Sequence, residues 1–236
     1  MTSRCPGAGI GRRDALARIV RLAAAPFAVG PLLSFAGRAD AQTWATSLEL
    51  SSRVSDGRIE ASSVERPSGV AAGKALGLVD APFADVMRVL VDFPRYGHFL
   101  PLREVRVTER ERGRAKLAVT ARARLVRRFS AELDVRIEGR EDGTHVISAR
   151  KITSDLDALE ARFQLVSTPS RRRSLVSLEL LVDPGLFLPD TVLERANVDA
   201  AVVALARLRK RMRELRAAEA AVVAATGGAD AGVPAP

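Results

Sequence analysis

Few residues of this chain have side chains suited to chemistry. His98 and His145 are its two histidines, Tyr96 its one tyrosine and Cys5 its one cysteine. His98 stands near Tyr96 and beside Phe99. An imidazole there could donate a hydrogen bond to a carbonyl oxygen or work with Tyr96 as an acid–base pair. His145 opens a strand-like run. Neither histidine has a serine or carboxylate spaced to complete a nucleophilic triad, and Asp92, before Phe93-Pro94, reads as a helix terminator. There is no His-Glu-x-x-His, no Cys/His metal spacing and no glycine-rich phosphate loop, so neither a metal nor a cofactor is expected.

The cysteine belongs to a segment with a different task. Residues 1–41 hold six arginines and two aspartates, so +4 of the formal net charge of +9 sits there. Residues 22–36 form a short apolar run, and Ala39-Asp40-Ala41 fits a small-residue processing site before Gln42. Together they read as a bacterial export signal. Arg12-Arg13 with Leu16 resembles a twin-arginine signal, from which Gly11 and Ala15 depart; a Sec signal is the alternative. Cleavage after Ala41 would remove Cys5 and with it all thiol chemistry. The expected product is a soluble periplasmic protein beginning at Gln42.

At 236 residues, 47% hydrophobic and 28% charged, the chain can close one core, which excludes whole-chain disorder. Its 17 glycines exclude a collagen-like repeat, and a single cysteine excludes a disulfide scaffold. No uninterrupted apolar stretch is long enough to span a bilayer as a helix.

The elements that would position His98 and Tyr96 follow from periodicity. A short strand over residues 75–79 precedes Asp80-Ala81-Pro82, where Asp80 reads as a cap with Pro82 inside the first turn of a helix through Phe83, Val86, Val89 and Leu90. A second short helix spans residues 95–100. Apolar residues then alternate with polar ones, as in strands with one buried face. The first run is Ala115, Leu117, Val119, Ala121, Ala123 and Leu125; the second is Phe129, Ala131, Leu133, Val135 and Ile137. Leu159, Ala161, Phe163 and Leu165 follow, then Val176, Leu178, Leu180 and Val182. Turns at Asp142-Gly143 and Thr168-Pro169-Ser170 make this an antiparallel meander with one wet face. Acids among the arginines of that face, and few aromatics, argue against nucleic acid as a partner.

Residues 189–220 read as one long helix with a stripe of Val198, Val202, Leu205, Met212 and Leu215 that covers the apolar face. Arg207, Arg209, Lys210, Arg211, Arg213 and Arg216 crowd its last turns. Complementing the helix dipole accounts for them; contact with an anionic membrane surface is the alternative. Residues 42–70 form a lead-in with an edge hairpin around Asp56-Gly57, residues 71–220 the domain, and residues 221–236 a flexible tail.

The order of elements is α+β: a strand, two short helices, about six antiparallel strands and a long C-terminal helix. With VDAPFADVMRVLVDFPRYGHFLP at 79–101 and the segment at 159–196, it resembles the START-like or SRPBCC superfamily, in its polyketide cyclase/dehydrase or coenzyme Q-binding branch. The matching positions are Ala81, Pro82, Val86, Val89, Leu90, Asp92, Phe93, Tyr96, Phe99 and Pro101; Phe163 stands where such domains often have Trp. The resemblance implies a helix-grip fold, a curved antiparallel sheet wrapped around the long helix, with a cavity between them for hydrophobic molecules. Alanines at 115, 121, 123, 131 and 161 would leave room in it. Its walls would be Leu117, Val119, Phe129, Leu133, Phe163, Leu165, Val202 and Leu205, with Phe93, Tyr96 and Phe99 at the mouth and His98 beside them as a further ligand contact. The function expected first is a periplasmic, non-catalytic carrier of a lipid, quinone, isoprenoid or polyaromatic molecule. The alternatives are a cyclase or dehydrase using His98 and Tyr96, and a membrane-surface or protein interaction module acting through Arg207, Arg209, Lys210, Arg211 and Arg213.

Overall fold

The computed structural model describes residues 54, 57–67, 69–121 and 128–227. The leader with Cys5, the processing site, Asp56, Ala123, Leu125 and residues 228–236 lie outside these. The element order is β1 (Ile59–Val64), β2 (Ala72–Val79), α1 (Phe83–Val91), a 3-10 helix (Phe93–His98), β3 (Leu102–Glu111), β4 (Arg114–Ala121), β5 (Phe129–Gly139), β6 (His145–Ser154), β7 (Ala158–Ser167), β8 (Ser174–Asp183) and α2 (Asp190–Gly227). The eight strands form one antiparallel sheet in the order β1-β2-β8-β7-β6-β5-β4-β3. Irregularities in register at Leu102/Glu104, Val107/Glu109 and Glu132/Leu133 add to its curvature. This is the expected helix-grip architecture, with the two short helices following the second strand because β1 precedes it.

The alternating runs bury the predicted face. Ala115, Leu117, Val119, Ala121, Phe129, Ala131, Phe163, Leu165, Val176 and Leu178 belong to one buried cluster with Leu133, Ile137, Leu180 and Val182 packed against it. On the opposite face of β4 and β5 the charges pair: Asp134 accepts across the strands from Arg114 at 2.7 Å and along its own strand from Arg136 at 3.2 Å. The Arg114 hydrogen bond holds the Asp134 carboxyl below its ordinary range. The wet face does not extend over the whole sheet, however. Leu175 packs outward with Val54 and Leu76, and Leu181 with Val70, Ala72 and Leu193, so β8 is covered on both sides.

β1 pairs with β2, Ile59 with Gly77 through Val64 with Ala72, while the hairpin expected around Asp56-Gly57 falls largely outside the described residues. Two local expectations change. Asp80 does not cap α1; the cap residue is Pro82, whose carbonyl accepts from Asp85 and Val86. The long helix continues past Ala220 to Gly227, because Ala217, Ala218, Ala220 and Ala221 are strong helix formers. The arginine cluster therefore lies mid-helix, no basic residue occupies the last turn, and complementing the dipole does not explain it.

Two glycines let α2 lie directly on β2. A Cβ on Gly73 would come within 2.1 Å of the Asn197 backbone, and one on Gly77 within 2.3 Å of the Arg209 guanidinium. Asn197, buried in the same seam, donates to the Ala71 carbonyl at 3.1 Å and accepts from the Val182 amide at 3.1 Å, tying the helix to β2 and toward β8. No helix among the described residues is long and apolar enough to cross a membrane.

Candidate hydrophobic-ligand site

The site is built where α1 and the 3-10 helix face α2. Ser174 fixes the entry to α1 by donating to the Ala81 carbonyl at 2.9 Å in a buried position. Phe93, Tyr96 and Phe99 share one side of the following turn, because side chains three residues apart line up along a 3-10 helix. They form an edge-to-face series, with centroids 5.5 Å apart for Phe93 and Tyr96 and 5.0 Å for Tyr96 and Phe99. All three are buried in the main core. The Arg110 guanidinium lies 5.7 Å over the Phe93 ring.

Of the residues expected to line a cavity, Leu117, Val119, Phe129, Phe163, Leu165 and Leu205 are buried in that core, and Leu133 and Val202 pack against it half-buried. They are brought together as expected, and in this state they are packed against one another and the aromatic series. The open space lies beside them. A cleft of about 180 Å³ has a floor of Val89, Phe99, Met212 and Leu215. Its rim holds Asp85, Arg88, Asp92 and Arg95 on one bank and Arg211, Arg216 and Glu219 on the other.

The rim is laced by ion pairs. Arg88 reaches Asp85 at 2.8 Å and, across the cleft, Glu219 at 3.7 Å. Arg95 reaches Asp92 at 3.4 Å, and Arg216 meets the Asp80 carboxylate at 3.5 Å and its carbonyl at 2.6 Å. Most of these side chains are well exposed, so solvent screens the pairs and they hold the banks together only weakly.

The two catalytic candidates do not share an environment. Tyr96 is buried and donates its hydroxyl to the Leu90 carbonyl, and burial raises its pKa well above the ordinary phenol value. His98, at the end of the 3-10 helix, is exposed. His145 is half-buried with its ring 4.8 Å from that of Phe83, and its Nδ1 has no hydrogen-bond partner among the described residues. No group of three His, Cys, Asp or Glu side chains among the described residues is placed to hold a metal.

The arginine cluster of α2 has several structural duties. Arg209 donates to the carbonyls of Gly57 at 3.0 Å and Arg58 at 2.9 Å, fastening the start of β1 to the helix. Lys210 and Arg211 pair with Glu214 at 3.9 and 3.7 Å, and Arg207 and Arg213 are exposed. Sequence reasoning missed Met212, Leu215, Arg211 and Arg216 as cleft residues, although the first two were in the predicted stripe. The usable signal was that Arg211 and Arg216 flank this stripe on the turns facing α1.

A search of curated protein sequences gives no match. Solved structures share the fold at low identity. A START superfamily protein from Mycobacterium smegmatis has a TM-score of 0.52 at 16% identity, over 60% of this chain and 97% of its own. The STAR-related lipid transfer protein from Xanthomonas axonopodis has a TM-score of 0.51 at 15% identity, over 65% and 98%. The lipid transfer and protein localization domain of human StarD13 reaches 0.54 at 12% identity, over 71% and 94%. The sheet, the gripping helix and the aromatic turn all fall within residues 79–209 or flank them, and this span of the 236 residues matches the family model described as polyketide cyclase/dehydrase and lipid transport. The chain belongs to that family.

Proposed function

We propose that this protein is an exported, non-catalytic carrier that holds a hydrophobic small molecule, a lipid, quinone, isoprenoid or polyaromatic, between the sheet and α2. The observation that carries this reading is the cleft, whose apolar floor is continuous with the core and whose banks are joined by exposed ion pairs. Its volume is below the roughly 300–1,000 Å³ of pockets that enclose such ligands, so it serves as the entrance. Two of the structures that share the fold are named for lipid transfer, which supports the same use here. A binding role is favoured over acid–base catalysis because the Tyr96 proton is committed to a backbone carbonyl and His98 faces solvent. The basic leader and its small-residue processing site support export to the periplasm.

The test is native mass spectrometry and organic extraction of protein purified gently from its own envelope. A co-purifying hydrophobic molecule and an N-terminus at Gln42 are expected. An empty protein that takes up no member of a lipid and quinone panel would overturn the carrier, and an intact Met1 would overturn export with processing.

A further inference from the structure

The loop between β8 and α2 is built to hold an apolar tip in water, and we propose that this tip docks the protein on a bilayer surface of uncharged, zwitterionic headgroups. Phe187 is 110% exposed and Leu186 47% exposed, and Val192, 43% exposed, follows on the first turn of α2. Isolated exposed apolar residues are ordinary, but this one is held in place. The Leu188 amide donates to the Leu186 carbonyl at 2.7 Å, which closes a tight turn with Phe187 at its apex. Leu188 itself turns inward to pack with Val70, Ala72, Leu181 and Leu193.

The base of the loop is equally constrained. Gly185 donates to the Asp183 carboxylate at 3.0 Å. It adopts φ +66°, and a Cβ there would lie 2.8 Å from the Asp157 carboxyl group, so only glycine fits. Pro184 and Pro189 restrict the backbone on either side. Phe187 is thus presented by a stiff support, and docking it orders little that is not already ordered.

The shape and charge of the tip select the occupant. A stable protein interface buries about 800 Å² on each partner, whereas a projecting Phe supplies only about 200 Å². A bilayer boundary accepts so small a wedge. Asp157 and Asp183 lie at the base of the loop, and residues 184–190 include no Lys or Arg to meet an anionic headgroup, which points to neutral headgroups. Binding through this tip should hold steady or strengthen as salt is added, opposite to attachment through Arg207 and Arg213. The inference goes beyond the carrier reading and does not depend on which molecule is carried.

The experiment uses protein from the native envelope with Cys5→Ser, so that a dye can be placed on Thr191→Cys, which is exposed beside the tip, or, as control, on Arg207→Cys. Phosphatidylcholine vesicles carry a nitroxide quencher on the acyl chain. Quenching at 191 and not at 207 is expected, and Phe187→Ser should reduce vesicle partition about tenfold. An unquenched dye at 191, quenching confined to 207, unaltered partition of Phe187→Ser, or a solution dimer abolished by Phe187→Ser would each overturn the proposal. An empty cavity in the mass spectrum with 191 still quenched would fail the carrier reading alone.

Discussion

Tyr96 is buried with its hydroxyl given to the Leu90 carbonyl, and this has a measurable signature because the chain has no other tyrosine. Burial disfavours the phenolate, so the folded state binds the phenolic proton more tightly than the unfolded state does. The stability this contributes is intact below about pH 10, the unfolded phenol value, and is lost as pH rises beyond it. An alkaline titration followed by phenolate absorbance should show the denatured chain ionising near that value and the native chain resisting until it unfolds. Native ionisation at the ordinary value would place the hydroxyl in solvent. The sequence shows Phe93, Tyr96 and Phe99 as one aromatic group at a mouth with His98 beside them. The spacing of three carries more information than that grouping, since in a 3-10 turn it sends 93, 96 and 99 inward and leaves His98 outside. Which carbonyl the Tyr96 hydroxyl finds depends on how α1 ends, and no local pattern encodes it.

Between elements, the decisive contact is α2 on β2. Gly73→Ala would drive a methyl into the Asn197 backbone and should cost about 3 kcal/mol, at the upper end of overpacking penalties. Gly77→Ala meets the end of the Arg209 side chain, whose displacement gives up its hydrogen bonds to the Gly57 and Arg58 carbonyls but moves no helix backbone, and should cost less. Urea unfolding of the two variants checks the order; equal losses would mean that α2 does not rest on β2 where described. The predicted stripe on this helix caught Leu205 and Met212 but is offset elsewhere. Among the described residues of the helix, those buried are Leu193, Asn197, Ala201, Ala204, Leu205, Leu208 and Met212, while Val198, Val202 and Leu215 are half-buried. A helix that approaches a glycine-bearing strand this closely needs alanines at the contact, and counting only large apolar residues turns the stripe toward the wrong side. The second buried face of β8 was hidden for a related reason, because its cover at Val54 and Leu193 comes from distant parts of the chain.

Across the molecule, β4, β5, β7 and β8 were legible because each carries its own alternation, whereas β3 and β6, whose burial does not alternate, show no such run. The closing of the sheet by β2 against β8 was not legible either, since nothing local announces a partner so far along the chain. That strand order governs how the protein can be made. Strands β3 to β8 can assemble hairpin by hairpin as they leave the ribosome, but β1 and β2 emerge early and must wait for β8, and α2, which packs against β2 and β8, emerges last. Arrested chains of increasing length should therefore gain protease resistance around residues 59–79 only after α2 has cleared the exit tunnel; earlier protection would contradict the order. Until that moment the apolar face of the sheet is open to the surroundings of the ribosome, which makes the nascent chain a client for holding chaperones throughout its synthesis.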